Sequence, residues 1–202
     1  SGMGFPHSRK ASMKGIVLAG GLGSRLHPLT KVTNKHLLPV YNRPMIYYPI
    51  QTLVDAGISE ILVVTGGNNA GDFLRLLGNG KQFGLKHLDY TYQEGEGGIA
   101  AALSLAEYFV DNDLVCVILG DNVLEESLAP FATRFLEGGQ EAMVLLSQVP
   151  DPERFGVPRF DVDGQIAEIV EKPAKPSSSL AVVGVYFYAP TVWTVIEKIE
   201  PS

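Results

Sequence analysis

The sequence predicts an α/β fold with a mixed, mainly parallel central sheet flanked by helices. Three observations predict it. Short β-branched apolar runs alternate with stretches of helical period. Glycines gather at the carboxyl ends of those runs, where an open parallel sheet forms its ligand crevice. Late in the chain, Asp163-Gly164 stands between two alternating segments and marks an antiparallel hairpin, which is expected to make the sheet mixed.

Each element has its own warrant. Residues 14–19 (KGIVLA) read as a buried strand that breaks at Gly20-Gly21 into a connection reaching Pro39, a length that is unusual in a compact domain unless it carries function. Ile46, Ile50, Leu53 and Val54 recur at helical spacing and Gly57 stops the helix, with Pro49 either near its start or at a kink. A second strand spans 60–65 (EILVVT), a short helix 72–77, and a third strand 87–93. An alanine-rich helix at 99–108 precedes a fourth strand at 115–119, a surface helix at 128–136 and a fifth strand at 142–148. The hairpin VPRFDV-DG-QIAEIVEK follows, then a buried strand at 181–188 in which Gly184 marks a close backbone approach, and a last helix at 191–199. Residues 1–12 show no periodicity and read as a tail or cloning remnant before a domain at 13–202.

Composition bounds the function. The 202 residues, 46% hydrophobic and 19% charged, suit one globular domain. A formal charge of −6 disfavours broad electrostatic binding to nucleic acid, which needs a basic face. No apolar stretch has the length of a membrane span and no signal core opens the chain, so a cytoplasmic protein is expected, with no membrane partner. The one cysteine, Cys116, lies in the apolar run LVCVIL and reads as a buried, inert thiol. The four histidines form no metal-ligand spacing; His27 and His36 read as polar loop residues that could reach a phosphate.

The long connection carries the chemistry. Gly20, Gly21 and Gly23 can expose backbone N–H groups, and Arg25, Lys31 and Lys35 follow as fixed cations, the combination a polyphosphate needs. It is neither a Walker A loop, since Gly21-Leu22 stand where Lys-Ser/Thr belongs, nor a complete GxGxxG, since Leu26 takes the third glycine position. Gln93 ends the third strand before three glycines and a helix; it can read a base edge or be a solvated loop residue. Asp121 follows the fourth strand and is either a hard oxygen ligand for Mg²⁺ or an N-cap.

LAGGLGSRLHPLT followed by NKHLLPVYNRPMIYYPI resembles the N-terminal signature of the sugar-nucleotide pyrophosphorylases, and among them the glucose-1-phosphate thymidylyltransferases. The resemblance runs from Met13 to Ser202 and implies a Rossmann-like fold of the nucleotide-diphospho-sugar transferase type. It implies a reaction in which a nucleoside triphosphate, dTTP favoured, and a sugar 1-phosphate, glucose 1-phosphate favoured, give a nucleoside-diphosphate sugar and pyrophosphate. Carried over by position, Arg25 and Lys35 are the catalytic residues, and Gly20, Gly21, Gly23, Ser24, Arg25, Gln93 and Gly98 bind the nucleotide. Gly156, Glu171 and Lys172 form the sugar-phosphate pocket, and Asp121 holds Mg²⁺. Two positions depart from the pattern: Ala101 stands where relatives commonly have glutamine, and Val183 where they often have threonine.

The family pattern also continues past Pro201-Ser202 into a segment with a second metal-binding aspartate, so the chain is expected to hold the earlier part of the enzyme and to be inactive or impaired alone. Transfer from UTP, CTP or GTP, or a binding module without catalysis, are the alternatives. Interface residues for a homo-oligomer are not distinguishable in sequence from other half-buried apolar ones.

Overall fold

The computed structural model describes residues 12–20, 33–95 and 98–198. In chain order they form strand β1 (Met13–Ala19), a two-residue ladder of β2 (Pro39–Val40) and β3 (Arg43–Pro44), helix α1 (Tyr47–Asp55), β4 (Glu60–Gly66), α2 (Ala70–Leu77) and β5 (His87–Gln93). Then come α3 (Gly98–Ser104), α4 (Glu107–Val110), β6 (Leu114–Leu119), α5 (Ala129–Gly138) and β7 (Ala142–Gln148). The hairpin β8 (Gly156–Phe160) and β9 (Ile166–Glu171), the long β10 (Leu180–Tyr188) and α6 (Val192–Ile196) complete the order.

A six-stranded sheet runs β5-β4-β1-β6-β10-β7. β1 lies between β4 and β6 and is parallel to both, and β5 is parallel to β4. β10 runs antiparallel to its neighbours β6 and β7 and so is the one strand against the direction of the rest. The mixed character therefore arises from β10. The hairpin expected to supply it forms a separate two-stranded sheet. The physical reason lies in the hairpin's own pattern: β9 is almost wholly exposed, with too little apolar surface to sit inside a sheet covered on both faces.

β1 and β4 are buried along nearly their whole length because helices cover both sides of the sheet. The two-residue period sorts their side chains. Val17, Ile61, Val63, Cys116 and Ile118 face Ile50 and Leu53 of α1, Phe73 and Leu77 of α2, and Phe135 of α5. Ile16, Leu18, Leu62, Val64, Val115 and Val117 face Ala102, Leu103, Phe109 and Trp193 on α3, α4 and α6.

Three local expectations are refined. α1 begins at Tyr47, so Pro49 falls in its first turn, where a missing N–H leaves no helical bond unmade. The helix expected over 99–108 is two short ones, α3 and α4, with the break at Leu105-Ala106. The hairpin strand ends at Phe160 rather than Val162, because the Asp161 carboxylate accepts the backbone N–H groups of Asp163 and Gln165, each at 2.9 Å, and caps the turn. Among the described residues no helix is long and apolar enough to cross a membrane.

Candidate active site

The carboxyl ends of β1, β4, β5 and β6 converge on one edge of the sheet, and a cleft of about 320 Å³ opens there. Gly20, Lys35, Gln93, Gly98 and Asp121 all line it, together with Leu18, His36, Gly95, Ile99, Ala102 and Leu119. Five of the residues singled out in the sequence are thus brought to one place by the parallel sheet, although they come from three separate connections. Gly21, Gly23, Ser24, Arg25, Lys31 and His27 lie outside the described residues.

At the floor of the cleft, Lys35 Nζ donates to Asp121 Oδ2 at 2.6 Å. Both side chains are partly open, 24% and 39% exposed, so the pair is reachable by a ligand. Burial pushes the Asp121 carboxyl up, but the Lys35 hydrogen bond and charge outweigh it and hold the carboxyl below its ordinary range. Asp121 therefore stays an anion, paired with a cation that an incoming phosphate would also attract. Gln93 also lines the cleft, and its Nε2 donates at 3.2 Å to the carbonyl of Gly98, the first residue of α3.

Two polar residues hold the lysine turn: Asn34, which was not picked out in the sequence, and His36, which was read there as a polar loop residue. Asn34 and His36 flank Lys35 and are 7% and 2% exposed. The Asn34 Oδ1 accepts from the His36 backbone N–H at 2.9 Å and meets His36 Nδ1 at 2.6 Å. Asn34 Nδ2 donates to the Ala19 carbonyl at the end of β1 at 3.5 Å. The His36 ring packs against the Gly120 backbone so closely that a Cβ there would sit 2.8 Å from its Cδ2 and 2.9 Å from the Leu18 carbonyl oxygen. Burial first, and then the Lys35 charge, bring His36 down to about 4, with Asp121 pulling the other way. The loop histidine expected to be polar and available is thus a buried neutral ring. A signal for it was present in the sequence, since Asn34 two residues before His36 is an Asx-turn pattern.

Gly156, Glu171 and Lys172 gather at one end of the hairpin, where Gly156 pairs with Glu171 and the Lys172 N–H donates to the Phe155 carbonyl at 3.0 Å. They do not line the cleft. A chain of contacts joins them to it. Gly156 lies against Val182 of β10, and the register of β10 shifts between Val182 and Tyr186. Asn122, next to Asp121, donates from Nδ2 to the carbonyls of Val183 at 2.6 Å and Gly184 at 3.0 Å within that shift. Gly184 has φ +71°, and a Cβ there would stand 2.7 Å from Leu119 Cδ1. Lys172 also holds a positive φ of 45°, unusual for a side chain of its size. Glu171 makes itself felt on β10, where burial and then its charge raise the Tyr186 phenol.

A larger depression of about 600 Å³ lies between α4 and α6, lined by Ser104, Glu107, Tyr108, Asp111, Asn112, Pro190, Trp193 and Thr194. It has two carboxylates and no cation, so it would repel a phosphate. Among the described residues no cluster of three or more His, Cys, Asp or Glu side chains is placed to hold a metal.

A sequence model described as nucleotidyl transferase matches residues 14–202. Glucose-1-phosphate thymidylyltransferases of Neisseria meningitidis and Actinoplanes sp. are 43% and 45% identical over 94% of this chain, which spans 66% and 62% of their lengths. The chain thus covers less than two thirds of those curated relatives. The crystal structure of a candidate glucose-1-phosphate thymidylyltransferase of Bacillus anthracis, in complex with sucrose, is 48% identical, with a TM-score of 0.89 over 95% of this chain and 77% of that one. A UDP-glucose pyrophosphorylase complexed with UDP-glucose shares the fold at 23% identity, with a TM-score of 0.76 over 95% of this chain and 81% of that one. With a family model matched from the first strand onward and relatives this similar along almost all of its length, the chain belongs to the nucleotidyl transferase family.

Proposed function

We propose that this chain serves transfer of a nucleotidyl group from dTTP to glucose 1-phosphate. In that reaction a sugar-phosphate oxygen forms a bond to the α-phosphorus while the bond to pyrophosphate breaks. The observation that carries the reading is the Lys35–Asp121 pair at 2.6 Å in a cleft lined from the ends of β1, β5 and β6, because a cation and a retained anion side by side suit a triphosphate with its counter-ion. The thymidylyltransferase names of relatives above 40% identity support the choice of base and sugar.

The chemistry needs positioning and charge stabilisation more than a covalent nucleophile. Lys35 lies where it can turn from Asp121 to a phosphate oxygen. Gln93 and Gly98 offer an amide and a carbonyl for a base edge, and Gly20 leaves the end of β1 open below them. For Gly21, Gly23, Ser24 and Arg25, roles in cradling the triphosphate and stabilising the leaving pyrophosphate rest on the resemblance. Glu171 would accept sugar hydroxyls, and Lys172 beside Gly156 would hold the sugar phosphate.

Mg²⁺ fits the donor set. Asp121 is a hard oxygen ligand kept ionised and partly open, and Mg²⁺ takes one or two carboxylates with phosphate oxygens and water filling the rest. When bound it would neutralise charge on the phosphates, and Asp121 would hold it.

Retained binding of a nucleotide in this cleft without turnover is the second reading. Pyrophosphate release with Mg²⁺ and glucose 1-phosphate, measured with dTTP beside UTP, CTP and GTP, together with calorimetric binding of each nucleotide, separates the readings. Release or binding selective for dTTP upholds the thymidylyl assignment. Absence of both with every nucleotide would remove the proposal.

A further inference from the structure

We infer that Asn34 and His36 are positioning residues that hold Lys35 over Asp121. Their importance for nucleotide binding rests on the function proposed above; the positioning itself does not.

A lysine side chain has many rotamers and no fixed direction of its own. One that meets a single carboxylate at 2.6 Å across a loop needs its backbone fixed on both sides. Lys35 and His36 lie in one short 3₁₀ turn, Lys35–Leu37, with Asn34 at its N-terminal cap. Asn34 ties the turn to β1 through the Ala19 carbonyl and to itself through two contacts with His36. His36 ties it to β6 by ring contact with Gly120, the residue immediately before Asp121. The His36 carbonyl also accepts the Ile46 N–H at 2.9 Å, fixing the turn against the start of α1. Lysine and aspartate are therefore brought together by two buried neighbours whose contacts end at Ala19, the last residue of β1, and Gly120, the residue just after β6. An exposed ion pair is worth little alone; here the order comes from the clamp, and the ion pair reports it.

The arrangement also explains a bare Cα at Gly120. The β6 end must approach Leu18, where the Gly120 N–H donates to the Leu18 carbonyl at 2.8 Å, and the imidazole fills the remaining side.

The test reads Lys35 without any ligand. Lysine acetylation by a small amine-reactive ester is followed residue by residue by mass spectrometry on the whole chain. In the parent protein Lys35 (24% exposed, paired) should react several-fold more slowly than Lys86 (66% exposed). Asn34→Ala should raise the Lys35 rate several-fold while Lys14, 17% exposed and paired with Asp113, keeps its own. His36→Phe, which keeps a ring beside Gly120 and loses only the Nδ1 contact, should raise it less. Asn34→Asp, which still accepts both His36 groups but cannot donate to the Ala19 carbonyl, should fall between the parent and Asn34→Ala. An unchanged Lys35 rate in both Asn34→Ala and His36→Phe overturns the inference, as does a joint rise of Lys35 and Lys14, which would mean general loosening. In parallel, dTTP affinity should fall about tenfold in Asn34→Ala, and Asn34→Ala added to Lys35→Ala should cost nothing further. A faster Lys35 with unchanged dTTP affinity would uphold the clamp and instead refute the nucleotide role given to Lys35.

Discussion

Acid should destabilise this protein through His36 before its carboxylates matter. The ring is 2% exposed, and burial with the Lys35 charge brings it to about 4, against an ordinary value of 6.5. A folded-state value below the unfolded one means that the unfolded chain binds the extra proton, so the contribution is fully present above about pH 6.5 and is lost as pH falls through that window towards 4. For a single site, the loss between about pH 8 and about pH 5 comes to roughly 2 kcal/mol, a large share of a marginal stability. Asp121 lies close enough to pull His36 the other way, and Lys35 is the facing cation, so the pair's own charge state has to stay constant in the comparison. The Asp121 carboxyl is held low and keeps its charge across that range. Urea unfolding of the parent protein and of His36→Gln at several pH values isolates the term, because other groups titrate equally in both. The difference in stability between the two should shrink or reverse by about 2 kcal/mol on going from about pH 8 to about pH 5. Parallel pH curves would refute the reasoning and require His36 to be open to solvent in the native state.

Further outcomes follow from the same geometry. Gly184→Ala should lower stability by about 1–3 kcal/mol, since it combines a positive φ with a Cβ 2.7 Å from Leu119 Cδ1; thermal unfolding reads it, and an unchanged midpoint would mean that β10 can shift. Lys35→Met should raise the Asp121 carboxyl towards its ordinary range, followed by carbonyl-carbon NMR across acid pH; an unmoved titration would place the depression elsewhere. The Cys116 thiol is fully buried and pushed up by that burial, so a disulfide reagent should modify it at unfolding-limited rates in the native protein and at once in urea.

Much of the fold was legible because β1, β4 and β6 are covered on both faces and so read as unbroken apolar runs. Strand direction was not legible in the same way. Period and burial look alike for a parallel and an antiparallel strand, so β10, apolar along its length, gave no sign that it runs against β6. The hairpin did announce itself as antiparallel through its turn, and that signal was given to the wrong sheet. Only its exposed β9 face, a matter of what lies above it, separates it from the core sheet.

The same division runs through the site. Glycines, lysines and a strand-end aspartate are residue types a phosphate needs, and their positions at strand ends follow from sequence because a parallel sheet gathers those ends. What holds them is long-range: Lys35 meets Asp121 across 86 positions, and Asn122 meets Gly184 across 62. No local pattern contains the ring contact between His36 and Gly120, yet that contact decides which side chains can stand at both positions. Buried polar residues beside a functional cation are therefore the ones that sequence reasoning underrates, since composition treats Asn and His in a loop as solvated. Their burial carries a cost that only satisfied hydrogen bonds offset, and Asn34 and His36 satisfy each other. A substitution that leaves one of them unpartnered should consequently disturb Lys35 more than its distance from any substrate would indicate.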